Sequence, residues 1–491
     1  MNKLSTIYIV LLALFVLLLV GCTNSDMTDS AEAHQAEKQE AVTFDSYLQR
    51  TTEGNGTTRT TYPATNGQMD NNKLKQSGFG VFAQYAGSTA WTSYDGKATT
   101  PFNFMWNQQV GWNAGSTAWT YSPVKYWPND NNPADNNGAT GSQEHSYLNF
   151  FAYAPYVEVV PSTGALTPTA ATASDDGIVA ITTNATNAAG SYLTYRTSAT
   201  APFDPDENVD LLWAVQTDRY KTDAAGYGYV NGTVDLQFKH ALTRVGFYVK
   251  ALIDRTKDHT SEAYSDELDV NTRIFITSVN VTMPDFYSEG HLMLTPADAA
   301  LTVPRWDYTG LEAKKKEGIV FDSDDSNATP DVRYAIRYAA PNVPTNRNWD
   351  GQDATTELYD YEQAKEDFDA MEQGVTNDEQ QLAATQAEFM FPPSATTKDL
   401  TVRMVYHVIT YDKNLVLNNP KYYSDVTNDV TASLGSSTFK WEPGKKYKIL
   451  LEPGLTSAKF TLAEITEWGE VIILSSVVKE WDVVTKEVDI K

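Results

Sequence analysis

Apolar residues first gather in an unbroken run over residues 7–20, behind one early positive charge at Lys3. A run of that length suits a signal peptide, whereas a permanent membrane-spanning helix needs about 20 apolar residues. The run ends in Leu19-Val20-Gly21-Cys22, which reads as a lipobox: small Gly21 admits the peptidase, and the Cys22 thiol takes the lipid. Residues 1–21 are therefore expected to be a lipoprotein signal peptide. Residues 22–40 are polar and acidic, with Met27 the one large apolar side chain, and read as a solvated tether. Period-two alternation then begins, with Val42, Phe44 and Leu48 on one face of a short strand. The Gly/Thr/Asn-rich stretch that follows sets Arg50 and Arg59 in exposed, protease-accessible company.

From Gly78 onward the pattern is strand after strand. Runs at 79–85, 102–112, 119–121, 147–156, 210–215 and 234–238 are separated by turn residues and predict an N-terminal β-sandwich over 60–238. A second set, at 244–252, 274–283, 290–295, 388–391, 400–411 and 447–451, predicts another sandwich over 239–468. Residues 349–387 differ in character: they are acidic, and Tyr361, Ala364, Phe368 and Met371 share a helical face. They read as an acidic, partly helical insertion in the second domain. The tail, 469–491, is apolar and β-branched through Val471, Ile473, Val477, Trp481 and Val483. The fold class expected is all-β, with two tandem sandwiches.

Composition narrows the chemistry. The chain has 491 residues, of which 63 are acidic and 37 basic, for a net charge of −26. Nucleic acid is excluded as a partner of the body, because phosphate binding needs basic patches. Cys22 is the only cysteine, so disulfides, a thiol nucleophile and a cysteine metal site are all excluded from the mature fold. Six histidines share no metal-ligand spacing, and no nucleophile elbow, phosphate loop or dinucleotide fingerprint is present. Neither an enzyme nor a cofactor is expected. Asp204, Asp206, Asn208 and Asp210 alternate like calcium ligands, but Val209 replaces the turn glycine and Val215 the bidentate glutamate, so a plain acidic turn is the stronger reading. Trp91, Trp106, Trp112, Trp119 and Trp127 could form a glycan platform or a core; the core reading is favoured.

Several segments together resemble one family. Phe104-Met105-Trp106-Asn107-Gln108, the run from Trp119 to Pro128, Phe150-Phe151-Ala152-Tyr153-Ala154-Pro155-Tyr156, Asp210-Leu211-Leu212-Trp213-Ala214, the block from Phe238 to Val245, and Trp441-Glu442-Pro443-Gly444-Lys445-Lys446-Tyr447 are similar, in this order, to the fimbrillin-like (Mfa-like) family. That family comprises lipoprotein precursors of type V pili in Bacteroidales. The resemblance implies two transthyretin-like β-sandwiches in tandem and other pilus subunits as partners. It also implies assembly by strand exchange, after an arginine-directed protease removes the lipidated N-terminal piece with its first strand. Val42, Phe44 and Leu48 would then mark the removable strand, Arg50 or Arg59 the cut, and the tail the donor strand; 41–59 is the removable and cleavage region. The alternative makes 42–48 a permanent first strand and the tail the last strands of the second domain. On the first view the protein is an outer-membrane lipoprotein precursor that becomes part of a surface fimbrium and serves adhesion. The insertion favours a tip or accessory subunit over a stalk. On the other view it is a permanently lipid-anchored surface protein that binds a host protein or glycan, or is a pilus anchor.

Overall fold

The computed structural model describes residues 41–48, 69–94, 101–128, 146–160, 177–184, 190–197, 209–220, 233–252, 270–283, 286–295, 303–316, 318–323, 332–339, 361–370, 374–384, 388–393, 400–417, 422–435, 439–455, 457–465 and 471–480. Its strands begin with β1 (Thr43–Leu48), β2 (Phe79–Gly87), β3 (Met105–Asn113), β4 (Ala118–Thr120) and β5 (Tyr147–Ala154). Then come β6 (Gly177–Thr182), β7 (Tyr192–Arg196), β8 (Leu212–Arg219), β9 (Thr233–His240), β10 (Thr243–Val249) and β11 (Thr272–Thr282). Six shorter strands follow: β12 (Phe286–Tyr287), β13 (Glu289–Met293), β14 (Trp306–Asp307), β15 (Lys315–Lys316), β16 (Ile319–Asp322) and β17 (Val332–Ala335). The last are β18 (Gln380–Gln381), β19 (Phe389–Phe391), β20 (Leu400–Tyr411), β21 (Tyr423–Leu434), β22 (Lys446–Pro453), β23 (Ser457–Ile465) and β24 (Val471–Glu480). The protein is all-β, as its alternation predicts.

The first half is built on a seven-stranded sheet in the order β1-β9-β8-β5-β2-β3-β4. Its central strands are apolar on both sides, as a strand buried on both faces must be. β5 is buried from Leu148 to Ala154, and its one polar member, Asn149, accepts the amide of Asp218 at 2.9 Å. One face carries Phe79, Val81, Phe150, Ala152, Leu236 and Phe238 into a core shared with Trp119 and Trp127. The other face carries Phe82, Phe151, Tyr153 and Trp213 against Ile181, Leu193, Tyr195 and Leu292 of a second sheet, β14-β13-β7-β6. Trp91 is fully buried there, and Trp106 packs edge-on to Phe82. Trp91, Trp119 and Trp127 thus pack as core, with Trp106 and Trp112 half-buried against it.

The second half is a sandwich. A sheet of β18-β10-β22-β23-β24, with β19 also on β10, faces β17-β16-β11-β20-β21 across Val245, Phe247, Ile449, Ile276, Val279 and Met404. The expected helix appears over Tyr361–Asp369, with Ala364 and Phe368 fully buried; Met371 lies outside the described residues. A second helix, Asn71–Ser77, is not evident from the periodicity. Asp70 caps it by accepting the Lys73 amide at 2.7 Å, and Gly78, at φ +65°, ends it where a Cβ would meet the Val110 carbonyl oxygen. None of the helices described is long and apolar enough to cross a membrane.

The expected boundary at 238/239 falls within β9, two residues before the Ala241-Leu242 joint that leads to β10. Sheet pairing crosses it, since β7 is antiparallel to β13 from Arg196↔Glu289 to Tyr192↔Met293. The joint is held from several sides. Trp306 Nε1 donates to the Ala241 carbonyl at 2.9 Å, the Gly444 amide donates to the Leu242 carbonyl at 2.9 Å, and Thr243 Oγ1 donates to the Glu442 carbonyl at 2.9 Å. Beside it Glu388 is buried and ion-paired to Arg244; its Oε1 lies 2.7 Å from Lys446 Nζ and accepts Tyr248 Oη–H at 2.6 Å. Burial alone would raise the Glu388 carboxyl, but Arg244 and Lys446 hold it below the usual range. Burial also pulls the Lys446 ammonium down to about 8 against the pull of Glu388. Removing one member of such a buried group strands the rest. Glu388→Ala is therefore expected to cost about 3–5 kcal/mol in a denaturant melt, with a replacement of exposed Asp429 as the mild control.

Candidate functional site

β1 forms a parallel ladder with β9, in register from Thr43↔Thr233 to Leu48↔Phe238. Its alternation places Phe44 and Ser46 inward and Thr43, Asp45 and Tyr47 outward, and Val42 just before it is fully buried. Phe44 meets Phe79, Tyr121 and Phe150 edge-on, with ring centroids at 6.1, 5.5 and 5.8 Å. Val42, Phe44 and Leu48 thus share a face, as the sequence predicts, and that face completes the inner core.

Sheet order makes β1 and β4 the two ends of the seven-stranded sheet, yet the far edge of β1 is also occupied. The Val42 amide donates to the Lys125 carbonyl at 2.9 Å, Tyr121 Oη donates to the Val42 carbonyl at 2.7 Å, and Trp119 Nε1 donates to the Ser46 carbonyl at 3.3 Å. An antiparallel bridge joins Ala41 to Tyr126. At the other end, the Leu48 amide donates to Asn71 Oδ1 at 2.8 Å. The sheet therefore curls until its ends meet, and β1 is the stave between them. On one side it has a ladder; on the other, mainly side chains reach its carbonyls. A parallel ladder is slightly weaker per residue than an antiparallel one.

Two positions on β1 fit badly. Asp45 is in register with Asp235, and like charges so placed repel. Partial burial and then Asp45 push the Asp235 carboxyl up, while Arg219 pulls it down. Asp235 Oδ1 and the inward Ser46 Oγ are both screened from water without a hydrogen-bond partner. A buried polar atom left so costs about 1–3 kcal/mol.

The chain resumes at Met69, whose amide donates to Asp210 Oδ2 at 3.0 Å; the same oxygen lies 2.6 Å from His240 Nδ1. Burial lowers the His240 imidazole, and the Asp210 carboxylate more than offsets this, so its pKa rises. Asp210 thus serves as a structural anchor for the chain at Met69. Its companions in the calcium pattern, Asp204, Asp206 and Asn208, lie outside the described residues. Among the described residues no group of three His, Cys, Asp or Glu could hold a metal. Cys22, Arg50, Arg59, Trp481 and Val483 also lie outside them. Val471, Ile473 and Val477 sit on β24, which runs antiparallel to β23 at the end of its sheet. Sequence reasoning finds β1 but misses its partners, Val234, Leu236 and Phe238, which alternate visibly yet lie far along the chain. It also misses Trp119 and Tyr121 as donors to β1.

No protein-family model matches the chain. A curated sequence relative does: fimbrium subunit Fim1C of Phocaeicola vulgatus, 25% identical over 470 residues, spanning 93% of this chain and 95% of the relative. The chain is a homologue of a fimbrium subunit. The fimbrial resemblance drawn from the sequence blocks holds along nearly the whole length. Two solved structures are matched over most of their length at low TM-scores: a Bacteroides uniformis protein provisionally assigned to cell adhesion (12% identity, 90% of this chain and 99% of that one, TM-score 0.33), and the fimbrial anchor protein Mfa2 of Porphyromonas gingivalis (9%, 90% and 98%, TM-score 0.27).

The packing of β1 in this fimbrium-subunit homologue sets an expectation. Phe44→Ala removes a ring from a core with three aromatic neighbours and should cost about 3–5 kcal/mol in a urea melt of the uncut chain. Thr43→Ala, on the outer face, should cost under about 1 kcal/mol. Equal small effects would mean that β1 merely lies on the surface.

Proposed function

We infer that the protein is a structural subunit of a surface fimbrium, serving adhesion and assembling with other pilus subunits, and is not an enzyme. The observation that carries the mechanism is the place of β1. Arg50 and Arg59 both fall between Leu48, the last residue of β1, and Met69, where the described chain resumes. A cut at either leaves β1 joined to the body by non-covalent contacts alone. Its departure opens a groove between β9 and the Trp119–Tyr121 edge, lined by Phe79, Phe150, Val234, Leu236 and Phe238. An extended segment from a neighbouring subunit fills such a groove by β-augmentation.

On this reading Cys22 carries the precursor to the outer membrane as a lipoprotein, and the working subunit begins after the cut. Residues 60–238 and 239–468 act as the two domains, interlocked where β13 of the second pairs with β7 of the first, and 469–491 supplies the donor strand. β24 suits that role because it is terminal in its sheet and its described pairing is to β23 alone. The helical insertion, which packs Phe368 against Tyr411 at 4.3 Å between ring centroids, favours a tip or accessory position over a repeating stalk.

Mass spectrometry of the mature N-terminus in a sheared surface fraction tests this reading. Thr51 or Thr60 is expected as the first residue. A lipidated Cys22 as the sole N-terminus would overturn it in favour of a pilus anchor or a permanently tethered binding protein.

A further inference from the structure

β1 carries two residues that its seat does not suit. The sequence VTFDSYL could match the groove fully with small changes, since Val42, Phe44 and Leu48 already do. Asp45, however, faces Asp235 across the ladder, and Ser46 turns an unpartnered hydroxyl into the core. The environment of Asp235 is specific. Gln216 Nε2 donates to its backbone carbonyl at 2.6 Å, and its side chain lies on the outer face, alternating with buried Val234 and Leu236. Arg219, near it, is itself held to Gln216 Oε1 and feels Asp218 as well as Asp235. Thr43↔Thr233 and Tyr47↔Gln237 flank the acid pair, and neither brings a cation to it. The outer face of the seat thus presents an acid where β1 offers another acid. The inner face presents an apolar position where β1 offers a hydroxyl.

We propose that β1 is a deliberately imperfect occupant, and that the segment which replaces it carries a basic side chain in register with Asp235 and an apolar one at the Ser46 position. The partner is therefore an extended strand of another subunit with the pattern apolar, polar, apolar, basic, apolar. The proposal rests on the strand-exchange reading and adds a selection rule to it. The groove accepts many apolar-alternating strands, and charge complementarity at one outward position ranks them. The same mismatch weakens the hold on β1 once the chain is cut, so exchange runs downhill without any other source of energy.

Two measurements separate the selection rule from the reading it rests on. The first uses the uncut full chain and follows amide hydrogen exchange at Val234 and Leu236, which pair with Phe44 and Ser46 of β1. Asp45→Lys combined with Ser46→Ala should slow exchange there by roughly tenfold at low ionic strength. The Asp45→Lys part of this slowing should vanish in an Asp235→Asn background. Unchanged exchange, or slowing that survives Asp235→Asn in full, overturns the selection rule. The second uses the chain nicked by an arginine-specific protease, with β1 still seated, challenged with synthetic peptides VTFDSYL, VTFNSYL and VTFKAYL. VTFKAYL should displace the native segment fastest, and Asp235→Asn should remove the advantage due to lysine. Equal displacement by all three overturns the selection rule while leaving strand exchange standing. No displacement by any peptide overturns strand exchange, and the uncut-chain measurement then still decides whether the mismatch is real.

Discussion

The inner core of the first half is enclosed only because β1 joins the two ends of a curled sheet. Its amides and carbonyls are shared between β9 on one side and the Trp119–Lys125 segment on the other, and Phe44 fills the space between Phe79 and Phe150. Backbone groups at a sheet edge need partners, and an apolar face needs cover; β1 meets both requirements for strands that lie far from it in sequence. Take it away and the demand persists unchanged. That persistence is what makes a groove selective for another strand rather than a site of general collapse. The sheet beneath has its own support, because its outer face packs on β6, β7, β13 and β14 through Phe151, Tyr153, Leu193 and Leu292.

The body therefore divides into a frame and a stave. The frame is interlocked at the Ala241-Leu242 joint, where Trp306, Glu442 and Gly444 hold the connecting backbone and Glu388 gathers Arg244, Lys446 and Tyr248. Buried charges of this kind add little net stability relative to apolar packing, but they penalise any arrangement that separates their members. β1 has no such fastening. Beyond the backbone ladder to β9 its polar contacts are single hydrogen bonds, and its one charge is mispaired. The contrast between the two, a locked joint and a loosely held strand, is the physical basis for proposing that one leaves while the other stays.

Much of this is legible in the chain itself. Apolar runs such as Phe150-Phe151-Ala152-Tyr153-Ala154 announce strands buried on both faces, and the alternation of Val42, Phe44 and Leu48 announces a strand buried on one. The helix through Ala364 and Phe368 follows from its spacing. β6, β7, β16, β21 and β23 are not evident at the same level. β6, β7 and β16 are short, β21 dilutes its alternation of Val430, Ala432 and Leu434 with an exposed polar start, and β23 follows β22 after few turn residues. What no local pattern contains is pairing. That Thr43 meets Thr233, that Asp45 meets Asp235 and that β7 meets β13 are consequences of the assembled sheets, and the candidate site consists of such meetings.

The most direct test of the proposed exit of β1 is to forbid it. Thr43 and Thr233 are in register, with their hydroxyl oxygens 2.8 Å apart, and Cys22 is the only native cysteine. Thr43→Cys with Thr233→Cys should therefore form a disulfide that ties β1 to β9. Incorporation into surface fibres, read by electron microscopy and by the ladder of polymers on a gel, should stop in the oxidised double variant and return on reduction. Equal assembly in the oxidised and reduced states would contradict the account, since the subunit would then polymerise with β1 still in its seat.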